Sequence, residues 1–111
     1  MTTMNKPKQW EIWTAQFAYE DAPNIKKFRP ILVIENKEFY PILGAKITSH
    51  KIRNNYPGEY SIKKWKEAGL TKESTIRLSK RLLLEEIDFK EKIGRLSPID
   101  ILGVQEKFKE L

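Results

Sequence analysis

Short apolar runs joined by short polar links govern what this chain can build. From Trp10 to Tyr19 the stretch WEIWTAQFAY alternates. Trp13, Ala15, Phe17 and Tyr19 face one way, and Trp10, Ile12, Thr14 and Gln16 the other, which is the period-2 signature of a strand. The connection EDAPNIKK, 20–27, holds Pro23 and Asn24 and reads as a hairpin-type loop. A continuous apolar run, Ile31 to Ile34, follows directly on Arg29-Pro30. Proline has no N–H to give a ladder, so this strand is predicted to begin at Pro30 and to be buried on both faces. ILGAKIT, 42–48, is the third strand, with Gly44 marking a bulge or a close approach. The links between these strands are too short for helical crossovers, so neighbouring strands must run antiparallel.

The second half continues in the same style. Asn54, Asn55, Pro57 and Gly58 give turn chemistry to the loop after Thr48. Tyr60–Ile62 is a short strand, and KKWKEAG, 63–69, suits two helical turns closed by Gly69. STIRLS, 74–79, points Ile76 and Leu78 inward and Thr75, Arg77 and Ser79 outward. RLLLEEID, 81–88, fits either a further strand or a helix start, and Glu85 and Glu86 within it read as surface. The end is the clearest local signal: Ser97 as N-cap, Pro98 at the first helical position, Asp100 in the first turn, then a stripe of Ile101, Val104 and Phe108 flanked by Ile99 and Leu102. Five to seven short strands with one closing helix make a mainly β domain, a small curled barrel whose edges the helix covers. Residues 1–8 are polar and read as a flexible N-terminal tail, leaving 9–111 as a single domain.

At 111 residues the chain has room for one core. It has no Cys and one His, which excludes a disulfide framework and argues against a transition-metal site, so no cofactor is expected. The N-terminus lacks the apolar core of a signal peptide and no run approaches a membrane span, so a cytoplasmic, membrane-free protein is expected. A net charge of +6 suits a polyanionic partner, although solubility alone also explains such a balance.

Four groups of residues carry chemistry. Arg29, held by the rigid Pro30 at the mouth of a buried strand, can present a guanidinium to phosphate; a strand-end ion pair with Glu11 or Glu35 is the plainer reading. Thr48, Ser49 and His50 close the next strand. The hydroxyls can bond a phosphate oxygen or a 2′-OH, and His50 is the one imidazole able to act as a base near neutrality; equally, they can be a solvated strand end. Arg77, Ser79, Lys80 and Arg81 form a basic segment suited to a phosphate track or to blocking a strand edge. Tyr60, Lys63, Lys64, Trp65 and Lys66 interleave aromatics and cations as in a surface for unpaired bases, unless Trp65 is core.

The order of WEIWTAQFAYED, KFRPILVI, AKITS, ESTIRLSKRL and EKIGRLSPIDI resembles the MazF/PemK family of toxins from type II toxin–antitoxin systems. The likeness runs from about Gln9 to Phe108. It rests on Arg29-Pro30 heading an apolar strand, Ile47-Thr48-Ser49 closing the next, and GRLSP at Gly94–Pro98. It implies a small SH3-like antiparallel β-barrel with a short connecting helix and a C-terminal α-helix, acting as a homodimer. It also implies metal-independent, sequence-selective endoribonuclease activity on single-stranded RNA, leaving 2′,3′-cyclic phosphate and 5′-OH ends, and a cognate antitoxin as partner. The family's catalytic Arg and Thr match Arg29 and Thr48. Ser49, His50 and Glu20 are further candidates near the reaction, and Lys27, Lys51, Arg53, Trp65, Arg77, Ser79, Lys80 and Arg81 are candidates for RNA contact.

The sequence also departs from the family pattern. Trp10-Glu11 replaces the usual Gly-Asp, EDAPNIKKF replaces a Gly-bearing loop with Glu20 and Asp21 as the nearest substitutes, and Ser79, Lys80 and Arg81 occupy the region of a Gln-Ile-Arg element. Two rivals follow: a non-catalytic toxin of the same fold that binds a protein such as DNA gyrase, and an inactive nucleic-acid-binding relative.

Overall fold

The computed structural model describes residues 6–18, 26–37, 41–49 and 57–111. Six antiparallel strands form one curled sheet in the order β4-β5-β3-β2-β1-β6. They are β1 (Glu11–Ala18), β2 (Lys26–Glu35), β3 (Ile42–Thr48), β4 (Glu59–Ser61), β5 (Thr75–Leu84) and β6 (Phe89–Arg95), followed by helix α1 (Pro98–Lys109). The segment 81–88 resolves as the end of β5 and a single 3-10 turn, Glu86–Asp88, where the Glu85 N–H donates to Asp88 Oδ2 at 2.9 Å. Among the described residues no helix is long and apolar enough to cross a membrane.

Alternation puts two cores on the two faces of the sheet. On one face Ile12, Leu32, Ala45, Ile47, Ile76 and Leu78 pack with Leu96 and Val104, beneath α1 and the 63–70 turn. On the other, Trp13, Ala15, Phe17, Ile31, Val33, Ile42, Leu84 and Phe89 pack together where the sheet curls on itself. β2 is thus buried on both sides, as its unbroken apolar run demands. Pro30, however, lies inside β2 rather than at its start. It pairs with Thr14 of β1, while pairing with β3 begins only at Ile31. The proline is tolerated because β2 there has a ladder on one side alone.

Two other expectations are corrected. Residues 63–69 make one closed turn instead of a helix. Ala68 N bonds Lys64 O at 3.1 Å, and Gly69 N and Leu70 N bond Lys66 O and Trp65 O, both at 3.0 Å. Gly69, at φ 94°, supplies the left-handed residue that this closure needs. Ser97 occupies the N-cap position, but its hydroxyl makes no cap bond and donates instead to Asp100 Oδ2 at 2.9 Å. Pro7, within the expected tail, is buried, and its carbonyl accepts from Asn36 Nδ2 at 2.5 Å.

Trp10 stands where the family pattern has Gly, at φ 71°. That conformation costs a side-chain-bearing residue about 1–3 kcal/mol. Two backbone bonds hold it there, Trp10 N to Val33 O at 2.7 Å and Leu96 N to Trp10 O at 2.8 Å, while the indole packs on the core. Next to it, the buried Glu11 carboxylate accepts from Lys8 N (2.8 Å), Trp13 Nε1 (3.0 Å) and Lys92 Nζ (2.8 Å). Burial pushes its pKa up, but these donors and the Lys92 charge outweigh burial and leave it below the usual value.

Gly94 fixes how closely β6 meets the 63–69 turn. A Cβ there would overlap the Ala68 carbonyl, a backbone atom that cannot swing aside. Gly94→Ala is expected to cost about 1–3 kcal/mol, read as a lowered midpoint in thermal unfolding. An unchanged midpoint would show that the turn and the strand can separate freely.

Candidate active site

The face that buries Trp13, Ile31 and Val33 changes chemistry towards one end of the strands. Ile31 pairs with Lys46 as the last pair of the β2–β3 ladder, and Arg29 and Thr48 each lie two residues beyond it, on the same face as that pair. On the far side of β3, Thr48 pairs with Thr75 and Lys46 with Arg77, and Arg77 in turn pairs with Glu59 of β4. Directly opposed residues in antiparallel strands share a face. An apolar face therefore becomes a polar one carrying Arg29, Thr48, Lys46 and Arg77, for no reason but the period of two.

These four line an open cleft of ≈ 450 Å³. Phe17, Pro30 and Ile47 supply apolar wall, and Ser49, Leu70, Thr71, Lys72 and Ser74 close the remaining sides. Among the described residues that line it, Arg29, Lys46, Lys72 and Arg77 are cations and none is acidic. A partly enclosed, single-sign cleft focuses field and attracts anions. Lys46 Nζ sits 5.3 Å from the centre of the Phe17 ring, a cation–π contact that anchors the ammonium beside the apolar wall. Arg77 Nε is 3.3 Å from Glu59 Oε2, and the Glu59 side chain is only 2% exposed. Arg29 is exposed on the cleft side and Thr48 half-buried. A guanidinium and a hydroxyl at one end of a cationic cleft can bind a phosphate through two kinds of donor.

The other residues singled out from sequence are dispersed. Ser49 is exposed at the cleft margin. Glu20, His50, Lys51 and Arg53 lie outside the described residues. Lys27 is exposed on β2, opposite Phe17, and does not line the cleft. Trp65 packs against the first core cluster, with Lys66 Nζ 5.4 Å from its ring centre, so it serves the core. Ser79 and Lys80 fall in an irregularity of β5, since Ala45 pairs with Arg81 while the adjacent Lys46 pairs with Arg77. The Arg81 guanidinium carbon lies 5.8 Å from the centre of the Phe108 ring on α1, away from the cleft. Lys46, Lys72, Phe17 and Glu59 escaped the sequence reading. Lys46 left a signal, for it precedes Thr48 by two in an otherwise apolar strand. Lys72 and Glu59 left none, because only the tertiary fold brings them there.

A family model described as "PemK-like, MazF-like toxin of type II toxin-antitoxin system" matches residues 8–111. The chain belongs to this family. Among solved structures, the toxin's fold is similar to an "Endoribonuclease from Mycobacterial species", with a TM-score of 0.70 and 11% sequence identity, covering 98% of this chain and 93% of that one. At that identity the likeness concerns the fold. No curated protein sequence matches the chain.

Proposed function

We propose that this toxin is a metal-independent endoribonuclease that cuts single-stranded RNA at selected sequences, with Arg29 and Thr48 at the reacting phosphate. The observation that carries this reading is their meeting in one cationic cleft, although they stand 19 positions apart in the chain. The ribose 2′-OH attacks the adjacent phosphorus. The O2′–P bond forms, the P–O5′ bond breaks, the 2′-hydroxyl proton passes to a base, and the leaving O5′ takes up a proton. The products are a 2′,3′-cyclic phosphate and a 5′-OH end. Negative charge grows on the non-bridging oxygens, where the Arg29 guanidinium neutralises it and the Thr48 hydroxyl donates a hydrogen bond. A guanidinium has no lone pair available to accept a proton, so Arg29 serves as a cation and donor and not as the base. His50 is the candidate for that role on the ground that it is the one imidazole of the chain.

Arg77, Lys46 and Lys72 hold the flanking backbone through charge, and Phe17 offers an apolar surface beside it. We further propose that the toxin works in the cytoplasm as a homodimer. An acidic antitoxin segment lying in the same cleft fits its charge and would silence it by occupying the RNA path. The protein-binding rival is not favoured, since it gives no use to an arginine and a threonine brought together in a cationic cleft.

Thr48→Ala is expected to slow single-turnover cleavage about 10²-fold with little change in RNA affinity, because one donor to developing charge is lost while the cations remain. Single-turnover rates and the affinity for a 2′-O-methyl analogue test this. An unchanged rate would remove Thr48 from the reaction.

A further inference from the structure

The reaction proposed above needs one proton at the leaving O5′, and few groups of the cleft can supply it. Arginine gives up no proton in a protein, and an aliphatic hydroxyl is no acid near neutrality. Among the described residues that line the cleft, none carries a carboxyl, imidazole, phenol or thiol, which leaves Lys46 and Lys72 as the groups able to transfer a proton. The two are placed differently. Lys72 is exposed, three positions before β5 begins. Lys46 is half-buried inside β3 and paired on both sides, with Ile31 of β2 and Arg77 of β5. It precedes Thr48 by two and so shares its face, about 6.5 Å back along the strand. That interval is within the reach of a lysine's four-carbon stem. The Phe17 ring holds the ammonium, 5.3 Å from its centre. Among the described residues no carboxylate pairs with it. A lysine opposite an arginine, without an acid of its own, is a poor choice for sheet stability, and its three N–H donors are open to a ligand.

We propose that Lys46 is the general acid of the cleavage step, donating a proton from Nζ to the leaving O5′. This rests on the ribonuclease reading given above and supplies the proton donor for its leaving group. As the O2′–P bond forms and the P–O5′ bond breaks, the electron pair of the broken bond goes to O5′. An Nζ–H bond breaks and O5′ takes the proton as a hydroxyl. Lys46 is left as a neutral amine, which regains a proton from water before the next turnover. The 2′-hydroxyl proton leaves through the separate base. Arg29 and Thr48 meet the charge on the non-bridging oxygens, and Lys46 meets the charge on the bridging one. The Phe17 ring keeps the ammonium from swinging away, so the donor is in place before the bond breaks.

Sulfur in place of the bridging 5′ oxygen tests this, because a thiolate leaves without needing a proton while the phosphate keeps its charge. A short RNA spanning a cut made by wild type is synthesised in both forms and assayed by single-turnover cleavage with the full chain. Wild type, Lys46→Ala and Lys46→Arg are compared, each first shown to keep the wild-type circular dichroism at the assay temperature. On the oxygen RNA both variants are expected to cut about 10²-fold more slowly, since neither alanine nor arginine gives up a proton. On the sulfur RNA both should come within about threefold of wild type. Binding of the 2′-O-methyl RNA over a range of salt separates charge from acid. Lys46→Ala should flatten that dependence by about 0.7 in log–log slope, and Lys46→Arg should leave it unchanged. Loss of fold or of phosphate binding slows both RNAs alike, so an equal deficit on oxygen and sulfur overturns the inference. A wild-type rate for either variant on the oxygen RNA overturns it too. Should Lys46→Ala not stay folded, Lys46→Arg carries the test. Absence of cleavage by folded wild type overturns the ribonuclease reading and this inference together. Cleavage of both RNAs by wild type, without rescue of the variants by sulfur, overturns this inference alone.

Discussion

Arg29→Ala leaves a folded toxin that no longer cuts RNA. The expected loss is about 10³-fold or more in cleavage rate, because the substitution removes the guanidinium that lines the cleft with Thr48. Stability should stay within about 0.5 kcal/mol of wild type, as for other exposed positions. The residue is exposed at a point where β2 pairs with β1 alone. Backbone bonds hold the strand there, and its apolar anchors, Ile31 to Ile34, begin two residues later. Single-turnover kinetics and a thermal melt on one preparation distinguish the outcomes. Loss of activity with an unchanged melt assigns Arg29 to the reaction. A melt lowered by many degrees would make it a structural residue, and retained cleavage would remove it from the site.

Asp100→Ala is expected to have the largest effect on stability, a loss of about 3–5 kcal/mol. Asp100 is completely buried. Its carboxylate accepts from Tyr60 Oη (2.7 Å), Lys63 N (2.8 Å), Lys64 N (2.9 Å) and Ser97 Oγ (2.9 Å). One side chain thereby joins β4, the 63–69 turn and the start of α1, and alanine leaves four donors without their shared acceptor. For a domain of this size the midpoint should fall by more than about 10 °C. Asp100→Asn keeps the shape and loses the charge, so it should lie between the two. A fall of under about 1 kcal/mol in Asp100→Ala would show that water replaces the carboxylate readily.

The same residue sets an acid limit. Burial raises the Asp100 pKa, but bonds from Tyr60, Lys63, Lys64 and Ser97 outweigh it and leave it lowered. Glu11 is lowered likewise. A group whose folded pKa is depressed contributes fully above its unfolded pKa and loses that contribution as pH falls through the folded value. Wild-type stability should therefore drop below about pH 4, and the drop should be shallower in Asp100→Asn. Tyr60 has the opposite sign. Burial, then Asp100, pushes its pKa up, so its share is held below about pH 10 and is lost above it. Denaturant midpoints across pH read both limbs. An acid limb as steep in Asp100→Asn as in wild type would assign it to other carboxylates.

How far the sequence revealed this architecture depended on the range of the forces involved. The alternation from Trp10, the apolar run at 31–34 and the Pro98 helix start are local, and they revealed β1, the buried part of β2 and α1. Pro30 was misplaced because whether a ladder flanks it on one side or two depends on strand order, which is a tertiary property. The 63–69 segment stops at one turn because Gly69 turns left-handed and Gly69 N and Leu70 N close back on Lys66 O and Trp65 O. Ser97 was read as a cap, yet the Asp100 carboxylate takes its hydroxyl. In the cleft, Arg29 and Thr48 were legible from a strand mouth, a strand end and a family resemblance. Glu59, which pairs with the cleft-lining Arg77, was not, because a lone acid directly after a Pro-Gly turn means nothing until β5 brings Arg77 opposite it.

The ribonuclease assignment is tested most directly by mapping the ends left on a long single-stranded RNA by the purified wild-type toxin with EDTA present. The account predicts discrete cuts at a short recurring sequence, each leaving a 5′-OH and a 2′,3′-cyclic phosphate. RNA left intact by the folded protein across many sequences, or cut only when divalent metal is supplied, would contradict it.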